Sequence, residues 1–176
     1  MHEKKLIKQC LKQNRKAQET LYNKYKDAMY SICLRFTSNQ DDAREALQEG
    51  FITVFTELKK FRGESGIGSW IRTIMIRNAI KVLKRKKIYF IESSKITDSI
   101  TWDDNLTGDL LHEAIINLSD GYRTVFLLYE VEGYSHSEIS QMLNISEGTS
   151  KSQLFYAKRK LRNFIKKHEN YGIQGA

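Results

Sequence analysis

Apolar residues return along this chain at intervals of three and four. Leu21, Tyr25, Ala28, Ile32 and Phe36 fall on one side of a helix, the stripe of an amphipathic element with one buried face. Cys33 lies beside that stripe and reads as a small core hydrophobe. Asp42, followed three residues later by Glu45, has the spacing of a capping box. Ala43, Ala46, Leu47, Phe51, Val54, Phe55 and Leu58 then carry a second helical face. Gly63, Gly66 and Gly68 crowd the stretch after Phe61 and predict a turn or loop. From Ser69 to about Lys87, Trp70, Ile71, Ile74, Met75, Ala79, Val82 and Leu83 alternate with Arg72, Arg77, Lys81, Lys84, Arg85, Lys86 and Lys87. One side of that helix packs and the other is cationic.

The periodicity lapses over residues 91–108, which are rich in Ser, Asp and Thr and read as an acidic linker between domains. It resumes with Leu110, Leu111, Ala114, Ile115 and Leu118, breaks at Ser119-Asp120-Gly121, and continues through Val125, Phe126, Leu128 and Val131 to Gly133. Ser135 and Glu138 form a capping box, Ile139, Met142 and Leu143 an inner face, and Asn144 suits a left-handed turn. Ser146 caps a last helix from about Glu147 through Phe164. Helix, tight turn and helix follow one another here, as in a DNA-reading motif or in a plain packing hairpin.

Composition agrees with helices throughout. The 176 residues include no Pro and 10 Gly, so the usual punctuation of strands is missing. The fold class predicted is all-α: two helical domains, 1–90 and 109–176, joined by the flexible acidic linker 91–108, the second a four-helix domain carrying the helix-turn-helix. Charge divides in the same way. Lys and Arg number 20 against nine acids over residues 1–90, one against seven over 91–122, and eight against five over 123–176. Two basic blocks around an acidic one point to a polyanion such as nucleic acid, although the cationic helix alone would also suit an anionic membrane surface.

Catalytic chemistry finds no support. His2, His112, His136 and His168 are scattered without metal-ligand spacing, and Cys10 and Cys33 both sit in apolar periodic stretches. The glycines of the loop lie between helices with no P-loop Lys-Ser/Thr pair. No enzyme, cofactor or metal is expected. The N-terminus has no signal-peptide core and no run reaches membrane-span length, so a cytoplasmic protein without membrane insertion is expected.

Four segments, in order, carry a family resemblance. Asp42-Ala43-Arg44-Glu45-Ala46-Leu47-Gln48-Glu49-Gly50-Phe51, Phe61-Arg62-Gly63-Glu64 with Ser69-Trp70-Ile71, Glu132 to Ile139, and Asn144 to Ser152 together resemble an extracytoplasmic-function sigma factor, the small two-domain promoter-recognition subunit of bacterial RNA polymerase. The resemblance runs from about Leu6 to Lys167. It implies that Asp42, Glu45, Gln48 and Glu49 bind the clamp coiled coil of core polymerase, with the flap as a further contact of the core. It also implies that Arg62, Gly63, Ser69, Trp70, Arg72, Arg77, Asn78, Lys81, Lys84 and Arg85 hold melted minus-ten DNA, the loop cradling a flipped base. Ser146, Thr149, Lys151, Ser152, Gln153, Tyr156, Lys158 and Arg159 would then meet the minus-thirty-five element, Lys and Gln reading base edges and Lys158 and Arg159 positioning phosphates.

By the same resemblance the linker would lie in basic channels of the polymerase, and an anti-sigma factor would hold the chain at the inner membrane. Three positions depart from the family pattern, one of them, Asn144 in place of the turn's usual glycine, with little effect. Arg77 stands where an Asn usually contacts the flipped base, which predicts a changed minus-ten preference, toward a base with two acceptors. Tyr156 stands where Arg is common, which predicts a lost charge and a gained aromatic edge. The other reading kept open is a stand-alone helix-turn-helix regulator that binds duplex DNA by itself.

Overall fold

The structure, a computed structural model, describes residues 3–86 and 108–172. The chain divides into two compact units, Met1–Lys86 and Lys87–Ala176, and among the described residues every regular element is helical. The acidic linker expected over 91–108 lies outside the described residues except for Gly108, where the second unit's first helix opens.

The first unit holds α1 (Glu3–Leu11), α2 (Arg15–Thr37), α3 (Gln40–Glu57), a 3-10 turn (Leu58–Lys60) and α4 (Ile67–Arg85). Asn14 starts α2 by accepting from the Ala17 amide at 3.1 Å, and Ser38 ends it in the left-handed region at φ 50°. The capping box expected at Asp42 and Glu45 is not the start of α3. Asn39 is: its side-chain oxygen accepts from the amides of Asp41 and Asp42 at 2.9 and 3.0 Å. Asp41 and Asp42 thereby fall in the first turn, where negative charge complements the helix dipole.

The core of this unit comes from three helices: Leu21, Met29, Ile32, Cys33 and Phe36 of α2, Ala43, Ala46 and Val54 of α3, and Ile71, Met75, Ala79 and Leu83 of α4. Met29, not the expected Ala28, is the buried residue of its turn. The stripe therefore advances 4, 4, 3, 4 from Leu21, which keeps it on one face as well as the assumed spacing would. Small side chains let α3 and α4 close up: a Cβ on Gly50 would stand 2.3 Å from Met75 Sδ. Burial pushes the Cys33 thiol up to about 12, so it packs as an inert apolar group.

In the second unit α5 (Gly108–Ile116), α6 (Asp120–Phe126), a π-helical turn (Leu127–Val131), α7 (His136–Leu143) and α8 (Glu147–Gly172) follow in order. Ala114, Ile115, Leu118, Val125, Leu127, Leu128, Ile139, Leu143, Ala157 and Leu161 fill its interior. The π turn, marked by the Glu132 amide donating to the Leu127 carbonyl at 3.0 Å, fits an extra residue into the turn and sets the chain behind the 3.6 period. Val131 consequently faces outward, against the expectation that it continued the apolar face.

Candidate functional site

Three surfaces gather the residues singled out from sequence. The first lies along α3. Gln48 is exposed and joins Tyr22, Arg44, Leu47, Phe51, Ile52 and Phe55 around a groove of ≈ 410 Å³. Ile52 leaves 58% of its surface in solvent there, and Tyr22 meets Phe51 edge-on at 4.7 Å between ring centroids. An apolar floor with a few polar groups at its border suits a protein partner better than a nucleic-acid backbone. Arg44, Leu47, Ile52 and Phe55 line this groove although the sequence reading assigns them no site role. The signal existed: Leu47 and Phe55 were assigned to the core face, but they stand at its edge, half-buried.

The remaining acids turn the other way, toward α4. Arg85 grips Glu49 with both ends of its guanidinium, Nη1 to Oε1 at 2.7 Å and Nη2 to Oε2 at 2.8 Å, and also donates to Glu45 at 2.7 Å. Lys81 reaches Glu49 at 3.3 Å, and Lys86 reaches Asp42 at 2.5 Å. Hydrogen bonding from Arg85 holds the Glu49 carboxyl below its usual range. Residues expected to serve two different partners thus share one ladder of ion pairs. Asp42 differs from the exposed acid expected there: it is only 7% exposed and, paired with Lys86, closes the α3–α4 seam.

The second surface is the loop before α4. The rings of Phe61 and Trp70 meet at 5.5 Å, tilted by 54°, and with Lys60, Arg62, Gly63, Glu64 and Ser65 they border a recess of ≈ 250 Å³. Gly63 takes φ +76° with nothing near a would-be Cβ, so the turn needs glycine for its backbone alone. Ser69 and Arg77 are exposed, as are Lys81, Lys84 and Arg85, while Arg72 is half-buried. Asn78 is a second correction. It is 7% exposed and its Nδ2 donates to the Ile74 carbonyl at 2.9 Å, so the residue one step beyond Arg77 points into the unit and not at DNA.

The helix-turn-helix forms the third surface. Ser135 and Glu138 make the reciprocal cap expected of them, and Asn144 takes φ 58° in the turn. Ser146 accepts from the Thr149 amide at 2.9 Å and opens α8. His136 pins the two helices: its ring stacks on Tyr129 at 4.4 Å, and Nδ1 lies 2.9 Å from Ser150 Oγ. Burial and the nearby Lys151 lower its basicity.

On α8 the phase decides which side chains face outward. Thr149, Ser152 and Gln153 are buried, the last 2% exposed, and Ser152 Oγ donates to the Gly148 carbonyl at 2.7 Å. Their expected base contacts are corrected on that ground. The outward strip is Lys151, Phe155 and Arg159, four residues apart, with Phe155 half-buried and the other two exposed. Phe155 was not singled out, although its place between the two cations was readable from a helical wheel. Tyr156 leans toward α6, its ring 6.0 Å from Tyr122, and Arg159 lies over its face at 5.0 Å. Lys158 is held by Glu130 at 2.5 Å.

Among the described residues no group of His, Cys, Asp and Glu could hold a metal ion, and no helix is long and apolar enough to cross a membrane. Residues 21–88 match Sigma-70 region 2 and residues 108–161 match Sigma-70, region 4. The chain is 27% identical to the ECF RNA polymerase sigma factor SigW of Bacillus subtilis (strain 168), over 93% of its own length and 96% of that protein. It is 29% identical to the RNA polymerase sigma factor SigV of the same organism, over 85% and 92% of the two chains. Among solved structures it is similar in fold to the sigma factor RpoE of Bartonella quintana, crystallised with the anti-sigma factor NepR, at a TM-score of 0.53 and 22% identity over 84% of this chain and 96% of that one.

Proposed function

Because the chain belongs to the sigma-70 family, as a small two-domain extracytoplasmic-function sigma factor of bacterial RNA polymerase, we propose a division of labour between its two units. Residues 1–90 bind the polymerase core and the minus-ten element, and residues 109–176 read the minus-thirty-five element. The core's clamp coiled coil seats in the α3 groove beside Gln48, its basic groups facing Glu45 and Glu49. The recess between Phe61, Arg62 and Trp70 takes a base flipped from melted DNA, and Ser69, Arg72, Arg77 and Lys84 flank it on α4. Lys151, Phe155 and Arg159 lie along the major groove, with Phe155 against a thymine methyl and the cations on guanine acceptors or phosphates.

The polymerase supplies the chemistry, while binding free energy from the two DNA contacts drives strand opening without nucleotide hydrolysis by this subunit. A cytoplasmic anti-sigma factor, or the cytoplasmic part of a membrane-held one, would block the chain by covering the same groove.

One observation carries this reading against a stand-alone regulator. The first unit presents an apolar groove with only Gln48 and Arg44 as polar lining, a surface suited to a protein more than to a nucleic-acid backbone, in a chain whose helix-turn-helix unit would be all a simple operator-binding protein needs. Mixing the chain with sigma-free bacterial core polymerase and a randomised promoter library, then sequencing run-off transcripts, tests it. Paired motifs at fixed spacing are expected, and Arg77→Asn should shift the base selected in the downstream motif. Tight binding to duplex DNA alone, without core-dependent initiation, would overturn the reading.

A further inference from the structure

The α3–α4 ladder joins groups proposed to serve different partners, and the geometry of Arg85 makes those roles mutually exclusive. A guanidinium binds a phosphate best through two parallel N–H groups, the same fork it offers a carboxylate. In this structure Glu49 occupies both Nη1 and Nη2 of Arg85, Glu45 shares Nη1, and Glu49 Oε2 also holds Lys81. A phosphate oxygen pair approaching Arg85 along that edge meets two carboxylates first.

We propose that Glu45 and Glu49 mask Lys81 and Arg85 from nucleic acid in the free chain, and that a basic protein surface engaging the two carboxylates releases both cations to promoter phosphates. The inference rests on the assignment of Glu45 and Glu49 to core polymerase and of Lys81 and Arg85 to minus-ten DNA. It adds a coupling between them. The pairs are built for exchange: the side chains of Arg85 and Glu45 are 43% and 46% exposed, and exposed ion pairs re-form with water and other ions at little cost. Lys86 with the buried Asp42 is a contrasting rung, since the Asp42 side chain is only 9% exposed. Linkage makes the effect reciprocal, so that DNA occupying Lys81 and Arg85 raises affinity for the basic partner by the same factor.

The test is a double-mutant cycle on the full chain, with a short labelled single-stranded DNA as the probe at low ionic strength and no polymerase present. Glu49→Gln should tighten DNA binding by about two- to fivefold, the range exposed-pair energies allow. In an Arg85→Gln background the same change should gain less than about twofold, because only Lys81 is left for it to unmask. Glu19→Gln, at an exposed position of α2 away from the loop and α4 residues assigned to DNA, controls for the loss of one negative charge. An equal gain in both backgrounds, or no gain over the Glu19→Gln control, overturns the masking. A parallel measurement with the holoenzyme at saturating core separates the premise: if Arg85→Gln leaves binding of melted promoter DNA unchanged, the DNA role of Arg85 fails and the masking fails with it. If that binding weakens while the cycle shows no coupling, the masking alone is lost.

Discussion

Arg123 carries a charge into the interior of the second unit at 1% exposure. Its guanidinium pairs with Asp120 and donates to the carbonyls of Leu118 at 2.6 Å and Ile116 at 3.3 Å, the last carbonyl of α5 and one in the turn that follows it. Burial lowers its basicity while Asp120 opposes that shift. Replacing it with Met leaves a carboxylate and two carbonyls without a donor, and should cost about 2–4 kcal/mol of stability. Arg123→Lys should recover little of this, since a single ammonium cannot span the three acceptors. Urea denaturation of the full chain checks both variants; losses below about 0.5 kcal/mol, the level of an ordinary surface change, would deny Arg123 this role. From sequence Arg123 is one more cation in a basic block. Asn78 and Gln153 were misread for the same reason, because residue type suggests a polar surface whereas helix phase places them inside.

Helices were legible where their signals are local. The cap at Ser135 and Glu138, the left-handed Asn144 and the cap at Ser146 need only residues a few positions apart, and all three are present. The π turn at Leu127–Val131 leaves no such signal, because packing and not local chemistry sets it. His136 belongs to that second kind. Its neutral ring fits between Tyr129 and Ser150, with Lys151 and Lys158 disfavouring its charge and Glu147 favouring it. Because its folded basicity lies below the ordinary value of 6.5, the unfolded chain binds the extra proton first. The stability it contributes is whole above pH 6.5 and is lost as pH falls below that value through the lowered one. Hydrogen exchange should therefore show α7 and α8 opening more readily on acidification through this window, with the dependence flattened in His136→Gln. An unchanged slope in that variant would assign the effect elsewhere.

At the scale of the whole molecule, the excess of basic charge in residues 1–90 pointed toward nucleic acid, yet charge counting hid the surface that distinguishes this chain from a simple DNA binder. Apolar residues at a groove edge look like core residues in a periodic stripe, so Leu47 and Phe55 emerge as the lining of an open groove, with Ile52, only once the packing of α2 on α3 is known. Two interaction surfaces on separately folded units should act independently, as distant sites do. Ile52→Asp places a charge on the apolar floor and should weaken core-polymerase binding at least about tenfold, in the manner of a central interface position. The affinity of the free chain for duplex DNA bearing the upstream motif should stay within about twofold. Lys151→Ala with Arg159→Ala should do the reverse, lowering duplex affinity and its salt dependence through lost phosphate and base contacts while core affinity holds. In promoter-dependent initiation at limiting core, the combined variant should lose the product of the two single losses. If Ile52→Asp instead weakened duplex binding as much as core binding, the groove and the reading helix would be one surface in function, and the assignment of a protein partner to α3 would fall.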